Sequence, residues 1–197
     1  IAIITPGGIG VGHHNEGVPI LEALLTRLGR EAEVTVFPLG QVNPGYEPPG
    51  FAVAAIALDY DAPLRRRIWR TARRIRRAHR ERPFDGLHGY WTFPAGFLAV
   101  TLGKLLGVRS VVSVQGGDLV RIEDIGYGAR SRGFLERLIF WTLRRADAVT
   151  VETRFQQKLL PAELREKARV IPYGVDTEQF GYRPRPVGEP EIGRAHV

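Results

Sequence analysis

The 197-residue sequence contains neither cysteine nor methionine. Without cysteine there is no disulfide, no thiolate metal site and no cysteine nucleophile, and an intracellular location is compatible with the composition. No apolar run approaches the roughly 20 residues that a bilayer-spanning helix needs. No basic segment precedes the first strand-like residues, so no secretory signal is recognisable. We therefore expect a cytoplasmic protein.

The ends of the sequence lead to three expectations about its organisation. Because no initiating methionine is present, we expect a few residues to precede Ile1. The last seven residues, 191–197, read like a translated sequencing adapter, and we expect them to be a non-native tail. Residues 183–190 contain three prolines and resemble the start of a linker. The expected domain is therefore 1–182.

The sequence carries an excess of positive charge. It has 28 Lys and Arg against 21 Asp and Glu, a formal net charge of +7. Such an excess indicates an anionic partner, namely a phosphorylated ligand, a membrane surface or a nucleic acid. The alternative is an arginine-rich composition without functional meaning, and the sequence leaves both open.

Ten arginines lie in one segment, 64–82, which also has a helical apolar stripe. The stripe, which predicts an amphipathic helix docked on a sheet, consists of Leu64, Ile68, Ala72, Ile75 and His79. The opposite face suits an anionic membrane surface, and the candidate contacts are Arg66, Trp69, Arg70, Arg73 and Arg77. A solvated face is the alternative. No stacking surface or DNA-binding motif accompanies the charge, so nucleic acid is not supported.

Strand-like and helix-like segments alternate along the sequence. Strands are predicted at 1–5, 33–39, 53–58, 85–88, 109–115, 148–151 and 169–172. Helices are predicted from Pro19 to a stop at Gly29, and at 64–82, 94–106, 134–145 and 155–160. This alternation predicts a single α/β domain with a Rossmann-like parallel sheet and helices on both faces.

A glycine-rich segment, 6–12, follows the first predicted strand. Ligands of parallel sheets bind beyond the carboxyl ends of strands, where glycine lets backbone amides approach an anion. The spacing does not fit a dinucleotide-binding or an NTPase loop, since His13 and Asn15 stand where a third glycine would be needed. The candidate ligand contacts here are Gly8, Gly10, Gly12, His13 and His14. A tight turn with exposed polar neighbours is the alternative.

Three further segments complete a family pattern. They are Asp85–Gly96, Val111–Asp118, and Arg145–Val151 followed by Val170–Phe180. Together with the glycine-rich loop they resemble the N-terminal domain of family 4 glycosyltransferases. The most specific part resembles the family's Pro-x-Gly-Val-Asp-x-x-x-Phe motif, at Pro172, Gly174, Val175, Asp176 and Phe180. The resemblance implies the N-terminal half of a GT-B fold, in which two Rossmann-like domains face each other across a cleft.

The resemblance also implies a function. The parent enzyme would transfer a sugar from a nucleotide-sugar donor to an acceptor with retention of configuration, and this domain would supply the acceptor side. A missing C-terminal domain would bind the donor, so the fragment alone is expected to be inactive. No cofactor and no metal are expected, and the membrane contact would be peripheral, at the inner face of the membrane.

Individual site residues follow from the same resemblance. Gln115 stands where many relatives have histidine, and an amide cannot exchange a proton at neutral pH, so no catalytic base is assigned. The expected substrate contacts beyond the first loop are Tyr90, Gln115, Gly117 and Asp118. Tyr90 has a core-packing alternative, and Asp118 has an alternative as a turn-forming capping residue. His88 is expected to be a hydrogen-bonded structural residue.

Two rival functions remain at this point. One is a non-enzymatic Rossmann domain that binds a nucleotide or a membrane surface through the arginine-rich helix. The other is a sugar-nucleotide epimerase of the same fold, which the segment from Pro172 to Phe180 disfavours because it resembles the transferase motif. The sequence names neither the donor sugar nor the acceptor.

Overall fold

The computed structural model describes residues 1–10, 18–43, 45–54, 62–129, 133–178 and 181. Within these ranges, seven strands form one sheet in the order β3-β2-β1-β4-β5-β6-β7, and every adjacent pair is parallel. The strands are β1 (Ala2–Thr5), β2 (Thr35–Pro38), β3 (Ala52–Val53), β4 (Gly86–Tyr90), β5 (Arg109–Ser113), β6 (Ala148–Val151) and β7 (Ala168–Val170). The predicted α/β class with a parallel sheet is confirmed.

Helices connect the strands, as the alternating pattern predicts. They are α1 (Pro19–Glu31), α2 (Leu64–Glu81), α3 (Phe97–Leu106), α4 (Gly133–Arg145), α5 (Arg154–Leu159) and α6 (Ala162–Arg165). Short helical turns lie at Thr92–Gly96, Gly116–Leu119 and Glu123–Ile125. The sequence did not predict α6, which has only four residues. The strand predicted at 53–58 is observed as Ala52–Val53, and residues 55–60 lie outside the described part of the chain.

Gly29 does not end α1, contrary to the sequence prediction. The helix continues to Glu31, and Ala32 adopts an extended conformation and donates its N–H to the Leu28 carbonyl. Gly29 is required by a close approach instead, because a Cβ at this position would lie 1.8 Å from the backbone oxygen of Gly50. Glycine in this helix therefore reflects packing against the loop before β3.

The two faces of the sheet carry different helices. α2 and α3 bury one apolar cluster against β1, β2 and β4, with Ile75 and Leu98 among its members. α3 and α4 bury a second cluster against β5 and β6, around Val112 and Leu143. α1 packs on the opposite face, against Ile3 and Val36. Helices on both faces cover a parallel sheet, as the sequence predicts.

The strand order reverses between β1 and β4, because the chain moves outward from β1 to β3 in one direction and from β4 to β7 in the other. In open parallel sheets, ligands bind in the crevice at the carboxyl edge beside such a switch point. The loops after β1 and β4 flank it here. The predicted linker, 183–190, and the predicted tail, 191–197, lie outside the described residues.

Candidate functional site at the carboxyl edge of the sheet

Gly8 and Gly10 lie at the carboxyl end of β1, where sequence reasoning expects them. Both are buried, and Gly10 has a φ of +106°, which strongly favours glycine. A Cβ at Gly10 would lie 3.0 Å from the Tyr46 ring. Ile9 between them donates its N–H to the Gln41 carbonyl, 3.2 Å away. The loop is therefore tightly packed against the loop after β2. Its other candidates, Gly12, His13 and His14, lie outside the described residues.

The end of β4 contains an unusual backbone conformation. Trp91 has φ 65° and ψ 141°, a region that residues with bulky side chains rarely occupy. The conformation is held in place, since Trp91 donates its N–H to the Ser113 carbonyl and its own carbonyl accepts the N–H of Gly96. Such strain occurs most often at functional sites. Sequence reasoning missed this feature, for which no local signal exists.

Tyr90 is buried at the end of β4. Its ring stacks on the His88 imidazole, with centroids 4.4 Å apart, and burial raises the pKa of its hydroxyl. Tyr90 packs in the core cluster beneath α1, as its core-packing alternative predicts. It also lines the cavity described below. Whether it contacts a substrate stays a prediction.

Asp118 joins the loops after β4 and β5. Its Oδ2 accepts hydrogen bonds from the Thr92 N–H at 2.7 Å, the Thr92 hydroxyl at 2.9 Å and the Gln115 N–H at 3.2 Å. The carboxyl is buried, and this burial raises its pKa even though the three hydrogen bonds favour the ionised form. The structural alternative for Asp118, a turn-forming capping residue, is confirmed. Its contact with a substrate stays a prediction. Gly117 beside it lies under Tyr127, whose hydroxyl would be 3.0 Å from a Cβ at that position.

Gln115 is buried and points toward the segment that follows β7. Its Oε1 accepts a hydrogen bond from the Tyr173 hydroxyl at 3.1 Å. Burial, with a smaller contribution from the Glu152 carboxylate, raises the pKa of Tyr173 to about 12. Tyr173 therefore stays a hydrogen-bond donor at physiological pH. The sequence did not single out Tyr173, although it lies within the segment that carries the family motif.

A polar chain runs across three neighbouring strands. The His88 Nε2 lies 2.7 Å from the Ser113 hydroxyl, which lies 2.6 Å from the Thr150 hydroxyl. Burial lowers the pKa of His88 to about 4. The imidazole is therefore neutral at physiological pH and does not serve as an acid there. The hydrogen bond expected of His88 is confirmed, and His88 also lines the cavity described below.

A cavity of about 440 Å³ is lined by Tyr90, Gln115, Tyr173 and the polar chain of His88, Ser113 and Thr150. The predicted substrate contacts Gly8, Gly10, Gly117 and Asp118 are not among its lining residues. Its walls come from α1, the carboxyl halves of β4 to β6, and residues 171–175. Gln115, Glu152 and Tyr173 supply an amide, a carboxylate and a hydroxyl, and Leu24 and Val175 supply apolar surface. Such a mixture of polar and apolar surface suits a ligand with several hydroxyl groups. Within the described ranges, no group of three or more His, Asp or Glu side chains is placed to hold a metal ion.

The segment after β7 is fixed at two points. Tyr173 bonds to Gln115, and Asp176 accepts a 3.0 Å hydrogen bond from Arg27 on α1. Asp176 also accepts the N–H of Glu178 at 3.0 Å, so it stabilises the turn that begins there. These contacts hold one wall of the cavity close to the loop after β5.

The arginine-rich helix lies away from this cavity. Ile68, Ala72 and Ile75 of the predicted stripe pack into the core cluster, and Thr71 is buried on the same helix. The five membrane candidates are on the outer side of α2, where Trp69 is 56% exposed and the Arg73 guanidinium lies 4.7 Å from its ring centroid. In the described part of the chain, no helix is long and apolar enough to cross a membrane.

The family model of the glycosyl transferase 4-like domain matches residues 19–174, most of the chain. The chain belongs to this family. The resemblance noted from its motifs is thereby confirmed. No curated protein sequence matches the chain.

Solved structures share the fold at low sequence identity. A sucrose-phosphate synthase structure from Thermosynechococcus elongatus matches with TM-score 0.57 and 15% identity, over 91% of this chain and 92% of that one. HepE from Anabaena, solved with UDP and glucose, matches with TM-score 0.57 and 15% identity, over 93% of this chain and 47% of that one. A UDP-N-acetylglucosamine 2-epimerase matches with TM-score 0.51 and 11% identity, over 86% and 47%. This glycosyltransferase-like domain thus spans about half the length of the latter two proteins.

Proposed function

We propose that the parent protein transfers a sugar from a nucleotide-sugar donor to an acceptor hydroxyl with retention of configuration. In this proposal the present domain supplies the acceptor side of the cleft, and a second domain, outside this chain, binds the donor. The observation that carries the proposal is the cavity between α1 and the carboxyl halves of β4 to β6, which combines Gln115, Glu152 and Tyr173 in a domain of this family. The UDP and glucose in the HepE structure support the choice of donor class.

The chemistry of glycosyl transfer makes two demands on the protein. Negative charge develops on the leaving diphosphate and must be stabilised, and the acceptor hydroxyl must be oriented. We propose that backbone amides of the first loop, Gly8 to Gly12, contribute to the first task. We propose that Gln115 contributes to the second, since its amide is held by Tyr173 on one side and its backbone by Asp118 on the other.

Proton transfer in this proposal does not use a histidine. Gln115 cannot exchange a proton at neutral pH, and His88 is neutral, with a pKa near 4. The leaving phosphate is therefore the group proposed to take the acceptor's proton. We propose that no metal takes part in this scheme and that the backbone N–H groups of the first loop stabilise the diphosphate.

The test compares variants of Gln115 in the parent protein with its second domain present. Release of nucleoside diphosphate from a panel of nucleotide sugars is measured, and the anomeric configuration of the product is read by NMR. We expect Gln115→Ala to lower kcat/KM by about tenfold or more through loss of an orienting hydrogen bond, and Gln115→His to retain activity. Unchanged activity in Gln115→Ala contradicts the assignment, and an inverted product contradicts retention.

We further propose that the outer side of α2 contacts an anionic membrane surface. Nine arginines and one glutamate lie in this helix, and Trp69 is exposed among the arginines while Ile68, Ala72 and Ile75 pack into the core. Each basic residue near such a surface contributes about 1 kcal/mol to binding.

A further inference from the structure

The positive charge of the chain is concentrated on the helices of one sheet face. α2, α3 and α4 together contain thirteen Lys and Arg and two Glu, a net charge of +11. The whole sequence has 28 basic and 21 acidic residues, so the remainder has fifteen basic and nineteen acidic residues, a net charge of −4. An arginine-rich composition without functional meaning would enrich every surface. The segregation therefore favours a partner that covers this face.

The three helices form one layer with a common outer side. α2 contacts α3 and α3 contacts α4, and the buried apolar residues of all three helices pack against the sheet. We call the opposite side the outer helical face. Its basic residues are Arg66, Arg70, Arg73, Arg77 and Arg80 on α2, Lys104 on α3, and Arg137, Arg144 and Arg145 on α4.

Each helix of this layer also exposes a large apolar side chain. Trp69 on α2 is 56% exposed, Leu105 on α3 is 61% exposed and Phe134 on α4 is 81% exposed. On α4 the Arg145 guanidinium lies 4.6 Å from the centroid of the Trp141 ring. Contact with phosphates alone would leave Leu105 and Phe134 in water. Insertion at the level of the lipid headgroups buries exposed apolar side chains. Basic residues beside large apolar ones are typical of helices that lie in a membrane interface.

We propose that the whole outer helical face, and not α2 alone, lies on an anionic lipid bilayer with Trp69 and Phe134 inserted at the headgroup level. This inference rests on the membrane contact proposed above for α2 and extends it to α4, a helix that no sequence motif marks. The two ends of the layer then anchor the domain in one orientation, with the sheet parallel to the membrane.

The experiment measures co-sedimentation of the full 197-residue chain with vesicles. The vesicles contain phosphatidylcholine alone or phosphatidylcholine with phosphatidylglycerol. We expect binding to the anionic vesicles only, and loss of that binding near 1 M salt, where the Debye length falls to about 3 Å. Arg137→Glu with Arg145→Glu should lower binding by roughly tenfold or more. Phe134→Ser, at a highly exposed position, should lower it by about tenfold.

Arg30→Glu, on α1 at the opposite face, is the control for a charge reversal outside the outer helical face and should leave binding unchanged. Circular dichroism melting shows whether each variant is folded. If Arg73→Glu with Arg77→Glu abolishes binding while the α4 variants bind like the parent chain, the extension to α4 is wrong and the α2 contact stands. Failure of the unaltered chain to bind anionic vesicles, or tighter binding to an oligonucleotide, overturns both. None of these outcomes depends on sugar transfer.

Discussion

The Asp118 contact provides the sharpest test of how the site is held together. Replacing Asp118 with alanine removes the acceptor of three hydrogen bonds. The buried backbone N–H groups of Thr92 and Gln115 then lose the carboxylate to which they donate. An unsatisfied buried donor costs about 1–3 kcal/mol. Removal of the desolvated carboxyl, whose pKa is raised by burial, offsets part of this. We expect a net loss of about 3 kcal/mol in the free energy of unfolding.

Two milder variants separate the contributions. Thr92→Val removes only the hydroxyl donor and keeps the backbone N–H on Asp118, so it should cost about 1 kcal/mol. Asp118→Asn keeps an acceptor oxygen and should fall between the other two. Urea unfolding followed by circular dichroism gives the three values, provided that the transition is two-state. If Asp118→Ala costs no more than Thr92→Val, the carboxylate does not hold these loops and the reasoning fails.

Two further predictions follow from single positions. His88 has a pKa near 6.5 in the unfolded chain and near 4 in the folded chain. Its contribution to the free energy of unfolding is therefore complete above pH 6.5 and decreases as the pH falls from 6.5 toward 4. NMR titration of the imidazole tests the folded pKa, and His88→Gln should lose less stability than the parent chain over this pH range. Gly29→Ala places a Cβ 1.8 Å from the Gly50 oxygen and should cost about 2 kcal/mol or more. Gly133→Ala, where a Cβ meets nothing within 4 Å, should be neutral or slightly stabilising in the same denaturation assay, and equal losses in the two glycine variants would contradict the close approach.

Residues near the ends of strands were the predictable part of the site. Gly8, Gly10, Gln115 and Asp118 lie at the carboxyl edge because apolar β-branched runs, such as the one around Val112, mark the strands that end beside them. The capping box of α5 was not predicted, although Thr153 and Gln156 have the required spacing and exchange hydrogen bonds. The end of α1 was predicted wrongly, because Gly29 makes a close approach to Gly50 and does not stop the helix.

Contacts between residues far apart in the sequence could not be predicted from local sequence patterns. Asp118 meets Thr92 across 26 positions, and Tyr173 meets Gln115 across 58. The left-handed conformation of Trp91 likewise depends on bonds to Ser113 and Gly96. These features arise from the order of strands in the sheet, which determines which loops become neighbours.

The sequence by itself determined the class of fold, the order of its elements and the family, because apolar periodicity, glycine positions and motif residues are local properties of the chain. The tertiary structure decided which side chains share the cavity and which face carries the charge. The excess of +7 was ambiguous as a composition. Only the packing of α2, α3 and α4 into one layer shows that the positive charge lies on one face of the sheet. The sequence could not show this, because burial and hydrogen bonding over the whole chain decide which helices become neighbours.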